Sequence, residues 1–120
     1  MYRLNPLPRP VDPDLLALLV TAEPSVIGHF RYTGFMTPAI RAHFQDRRVA
    51  GTAVTVRAPG MDGTMVHYAI GQARPGDILV IDRCGDEAIA TIGGAVAYAA
   101  RKAGVVGIIS VARLLQLGLD

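Results

Sequence analysis

The stretch that decides the fold is PGDILVIDRCGDEAIATIGGAVAYAARKAGVVGIIS, residues 75–110. Pro75-Gly76-Asp77 reads as a turn. Ile78-Leu79-Val80-Ile81 is a continuous apolar run, the pattern of a strand buried on both faces. A polar stretch from Asp82 to Asp86 leaves it. Gly93 and Gly94 then open an alanine-rich segment, GAVAYAARKAG, that reads as a helix. Arg101 and Lys102 fall in its last turn, where cations favour the dipole, and Gly104 closes it. VVGIIS is a second apolar strand. Strand, helix, strand in this order is a βαβ unit with parallel strands. The expected fold class is therefore α/β.

Upstream, RRVAGTAVTVRAPG is the clearest strand: Val49, Ala53, Val54, Thr55 and Val56 run up to Pro59-Gly60. Gly51 inside it suggests a bulge or a close backbone approach. DGTMVHYAIGQAR reads as a helix with Met65, Ala69 and Ile70 on one face and Asp62 as its cap. Residues 1–11 carry Pro6, Pro8 and Pro10 and should form an extended arm. Asp12-Pro13-Asp14 is a helix start that continues through LLALLV. Pro24 starts a second short helix through SVIGHF, and MTPAIRAHF has room for another turn or two. ARLLQLGL reads as a last helix or turn. Residues 1–120 are read as one domain.

Composition narrows the function. The chain has 120 residues, half of them hydrophobic, and a net charge of +2. That apolar excess points to surface buried against partner subunits. The basic residues are scattered and form no stripe with aromatics, so nucleic acid finds no support. The only cysteine, Cys84, precludes an internal disulfide, fits a reducing compartment and reads as a small buried thiol. No signal peptide and no apolar run of spanning length are seen, so no membrane partner is expected and the expected location is the cytoplasm.

Candidate chemistry concentrates after Ile81. Ligands of open α/β sheets collect beyond the carboxyl ends of the strands. The loop from Asp82 to Ile92 leaves such an end and delivers the chain to a helix whose first free amides belong to Gly93, Gly94, Ala95 and Val96. These amides suit a carboxylate or phosphate. Equally, the glycine pair serves a tight turn and close helix–sheet packing; GxGxxG and Walker patterns are absent. Asp82 and Asp86 are suited to a cation or to a turn around Gly85. His29, His43 and His67 are dispersed, without HExxH pairing. Ser25 and Ser110 have no evident base, so no hydrolase triad is present.

The run RVAGTAVTVRAPGMDGTMVHYAIGQARPGDILVIDRCGDEAIATIGGAVAYAARKAGVVGII closely resembles the RraA-like family, and TAEPSVIGHFRYTGFMTPAI matches the segment before it. Members include class II 4-hydroxy-4-methyl-2-oxoglutarate aldolases, the regulator of ribonuclease E activity, and proteins misnamed dimethylmenaquinone methyltransferases. The resemblance covers about residues 15 to 109. It implies a swivelling β/β/α sandwich, here incomplete at the C-terminal end, and assembly into a trimer or hexamer with sites at subunit interfaces. It implies a divalent-metal-dependent lyase of small 2-oxo acids, of aldolase or oxaloacetate-decarboxylase type. By resemblance the amides of Gly93, Gly94, Ala95 and Val96, with Arg83, carry the substrate; Arg113 and Asp86 are the catalytic candidates. The implied cofactor is Mg or Mn.

Two departures accompany the match. Aldolase members have an acidic residue where this chain has Gly94. Their Arg-Asp pair has no full counterpart: Leu114 follows Arg113 where the metal-binding Asp would stand, and no metal ligand is assigned. Loss of such a charge-stabilising group lowers rates by about a hundredfold or more. A non-catalytic oligomeric regulator of the ribonuclease-regulator type is therefore the alternative, and a truncated member that keeps only the fold is a third.

Overall fold

The structure is a computed structural model, and residues 1–111 are described. In chain order the elements are α1 (Pro13–Thr21), α2 (Pro24–Gly28), β1 (Thr52–Arg57), α3 (Thr64–Gln72), β2 (Asp77–Asp82), α4 (Gly94–Lys102) and β3 (Gly107–Ser110). The three strands form one sheet in the order β1-β2-β3. Both pairings are parallel, with Thr52 opposite Asp77, Arg57 opposite Asp82, and Ile81 opposite Ser110. The chain is thus an α/β fold, and the βαβ unit reads as the sequence predicts.

Alternation sets the two faces of the sheet. In β1, Thr52, Val54 and Val56 are buried while Ala53, Thr55 and Arg57 are exposed. In β2, Asp77, Leu79 and Ile81 are buried. These inward residues pack with Val66, Ala69 and Ile70 of α3 and Ala100 of α4 to make the core. Ile78 and Val80, on the other face, are only half-buried. The expectation of a strand buried on both faces is corrected accordingly: the core gathers on one face, and the other is only partly covered. Buried Asp77 is satisfied by Arg74, which donates to it from the backbone amide at 2.8 Å and from the guanidinium at 3.3 Å.

Two glycines enable the close approaches that this sheet requires. A Cβ on Gly51 would lie 2.3 Å from the carbonyl oxygen of Gly76, so the close backbone approach is real. Gly104 has φ +88°, and a Cβ there would meet the Pro75 backbone at 2.7 Å. It ends α4 and turns the chain into β3.

The helix starts follow the local chemistry. The Asp12 carboxylate accepts from the Asp14 amide at 2.8 Å, and Pro13 occupies the first turn of α1. The Asp62 carboxylate accepts from the Thr64 amide at 2.9 Å and so serves α3, although Gly63 is the residue at the boundary. Met65 is only partly buried; Val66, with Ala69 and Ile70, makes the inner face. MTPAIRAHF forms an isolated turn, closed by the Ile40 amide on the Thr37 carbonyl at 3.0 Å, and not a helix. Residues 1–11 carry no helix or strand. They are tied down by the Val11 amide on Thr52 Oγ1 at 2.9 Å and the Tyr2 hydroxyl on Asp62 at 2.5 Å, with Leu7 against the core. No helix among the described residues is long and apolar enough to cross a membrane.

Candidate functional site

Because all three strands are parallel, their carboxyl ends lie along one edge of the sheet. The loops that leave β1 and β2 open there, and so do the amino ends of α3 and α4. The two helix starts differ. The first turn of α3 is served by Asp62, whose carboxyl is held at about 2, well below the usual carboxylate value, by hydrogen bonding to Thr64 and to the Tyr2 hydroxyl. At α4 no side chain among the described residues takes that place: Gly93 is the boundary residue and makes no side-chain cap. The amides of Gly94, Ala95 and Val96 precede the first intrahelical bond, from the Ala97 amide to the Gly93 carbonyl at 2.9 Å. They are the free donors that a helix amino end presents.

Gly93 adds to this. Its backbone is ordinary extended chain, φ −106° and ψ 179°. A Cβ built on it would meet nothing within 4 Å. Neither left-handed backbone nor packing by the described residues demands glycine at this position, and among those residues the space over its Cα is open. Gly94 and Ala95 are exposed, and Val96 is half-buried with its side chain toward the core.

The loop between β2 and α4 is built around Arg83. Its side chain is 0% exposed. The alternation of β2 runs on past the strand end: Asp77, Leu79, Ile81 and Arg83 are all buried. The guanidinium donates from Nη1 to the Ala58 carbonyl, and from Nη2 to the Gly60 carbonyl, to Asp86 Oδ2 at 3.1 Å and to the Ile89 carbonyl at 3.4 Å. Arg83, expected to carry substrate, has its terminal nitrogens engaged by the protein's own carbonyls and by Asp86, beneath the surface. The period-two register from Asp77 was the signal that sends this arginine inward.

Asp86 is partly buried and likewise engaged. Besides Arg83, it accepts from the Ala88 amide at 2.8 Å. Asp82 is exposed at the rim; it accepts from the Cys84 amide at 2.8 Å and pairs with Arg57 at 3.4 Å. Cys84 is exposed, with φ +54°, which corrects the expectation of a buried thiol. The reversal of chain direction at Cys84-Gly85 turns its side chain outward. Arg113 lies outside the described residues. His67 is exposed on α3. Three buried polar atoms at this end lack partners among the described residues: Arg83 Nε, Thr91 Oγ1 and Ser110 Oγ. A concavity of about 430 Å³ lies at the opposite end of the sheet, between Arg47, Arg101 and the start of β3.

No group of three His, Cys, Asp or Glu side chains suited to a metal ion occurs among the described residues. Asp82 and Asp86 point their hydrogen bonds into the loop itself, so this donor set does not fit the divalent metal that the resemblance implies. What the edge offers is an uncapped helix start, open space over Gly93, and a loop fixed from within. A family model described as RraA-like, Aldolase/RraA, matches residues 23–114, most of the chain and all of this edge.

Proposed function

The chain belongs to the RraA-like family, which includes aldolases and regulators, and on that premise we propose that it binds a small 2-oxo acid at the amino end of α4 and acts on it as a lyase. The observation that carries the reading is the α4 start, where among the described residues the amides of Gly94, Ala95 and Val96 have no partner, no side chain caps the helix and the space over Gly93 is open. The carboxylate of the acid would accept from these amides, which are oriented by the helix and complemented by its dipole. Cleavage or decarboxylation of an oxo acid leaves an enolate, so turnover needs a cation or arginine near the carbonyl. The described residues do not assemble a metal site, and Arg83 is turned inward. The proposal therefore assigns α4 the binding step and leaves charge stabilisation to groups beyond it.

The test is direct. The protein is incubated with oxaloacetate and Mg²⁺, and pyruvate is followed with and without a chelator. Pyruvate formation is the expected result, and the chelator arm tells whether a metal supplies the charge stabilisation. Absence of turnover together with absence of oxalate binding would overturn the proposal.

A second reading has its own observation. Phe30 and Tyr32 are 80% and 92% exposed, and Leu18, Phe35, Met36 and Phe44 are also uncovered. Such a surface suits a homo-oligomer, trimer or hexamer, that works by contact, as a regulator does. A stable oligomer in light scattering without oxaloacetate turnover would favour it.

A further inference from the structure

We infer that Arg83 is a positioning residue: by bracing the β1–α3 connection against the β2–α4 loop, it sets where the free amides of α4 stand. The inference rests on the oxo-acid reading of that helix start, and it concerns a residue that touches no ligand.

The geometry is specific. Two of the acceptors of Arg83, the carbonyls of Ala58 and Gly60, belong to the connection that leaves β1. The other two, Asp86 Oδ2 at 3.1 Å and the Ile89 carbonyl at 3.4 Å, belong to the loop that leaves β2. One side chain thus ties together the two loops that deliver α3 and α4. Arginine suits the task because its planar fork presents several donors in fixed directions; a lysine ammonium is a single point charge. The buried charge is balanced by Asp86, whose other oxygen accepts from the Ala88 amide at 2.8 Å and so steadies the middle of the loop. Ile92, buried in the core, anchors the far end beside Gly93. Residues 83–93 form neither helix nor strand, so no backbone ladder holds them. Their order depends on these side-chain contacts, and a helix start grips an anion well only when it is held in place.

The experiment compares Arg83→Met, Arg83→Lys and Asp86→Ala with the unaltered chain by amide hydrogen exchange and by oxalate titration, under conditions where each is folded. In Arg83→Met, exchange at residues 58–63 and 84–92 should quicken by about tenfold or more while β1 and β2 keep their protection. Oxalate affinity should fall about tenfold alongside. Arg83→Lys should restore part of both. Asp86→Ala should loosen residues 84–92 and weaken oxalate; it and the lysine variant carry the test if the methionine variant does not fold. Unchanged loop protection would overturn the brace, and loosened loops with unchanged oxalate affinity would overturn the positioning role. If the unaltered chain binds no oxalate, the oxo-acid reading and the positioning role fall together, while exchange still shows whether Arg83 braces the two loops.

Discussion

Residues 1–50 and residues 51–111 have similar apolar richness and opposite fates. In the second region Leu79 and Ile81 are 0% exposed, and Val54, Val56 and Val66 are buried beside them. In the first no residue is fully buried, and α1, written PDLLALLVT, leaves Leu15, Leu18 and Leu19 open. The difference lies in partnership. A strand is held by its neighbours in the sheet and gives one whole face to the helices above it. A short helix buries its stripe only when another surface meets it. Hydrophobic content alone therefore does not locate a core. The large apolar side chains left exposed lie mostly in the N-terminal region.

Substitutions sharpen this contrast, beginning with the core. Leu79→Ala should lower unfolding free energy by about 2–5 kcal/mol, because it empties a fully enclosed site. Leu18→Ala should stay within about 0.5 kcal/mol in dilute protein. Chemical denaturation measures both. A Leu18→Ala loss that approaches the Leu79→Ala loss would mean that α1 is covered in solution, and the contrast would break. Gly51→Ala should come next, at about 1–3 kcal/mol, since the added methyl meets a backbone carbonyl that cannot swing aside.

Gly94→Pro probes the corner with less disturbance. Gly94 is the first residue of α4, where proline is tolerated, and extended Gly93 accepts a following proline. Stability should hardly change, while one amide donor disappears. Oxalate affinity should fall about tenfold, the worth of a hydrogen bond to a charged group. Retained affinity would remove the α4 start from the site.

The smallest effect concerns the arm. Asp62 has its carboxyl lowered from 3.8 to about 2 by Thr64 and Tyr2. A depressed carboxylate lends stability above its unfolded value and loses it as pH falls. The tie from Tyr2 should therefore weaken between about pH 4 and pH 2. Asp62→Asn should remove that dependence and produce only a slight fall in Tm, because the pair is exposed. Proteolysis of residues 1–11 against pH reads the same event.

Much of this architecture is legible in the chain. The apolar runs at 78–81 and 105–109, separated by one helix length, permit little but a parallel βαβ unit. Asp12, Asp62 and Gly104 mark helix ends through chemistry confined to a few residues. Near Thr37, where room for a helical turn or two was read, a single turn forms between Gly34 and the end of the segment. Of the candidate site, the place of the glycine corner at a helix start was legible, while the hydrogen bonds that Arg83 and Asp86 make within the protein were not. A polar residue after a strand reads as a loop residue until the register of that strand is carried one step further.

By itself, then, the sequence determined the strand and helix order, the parallel sense of the sheet and the uncapped start of α4, because these follow from short-range period and capping. Tertiary structure alone decided that Arg83 joins two loops, that Cys84 faces solvent and that α1 buries nothing. Each of these depends on what another part of the chain brings, or fails to bring, to the same place, and no local pattern contains that.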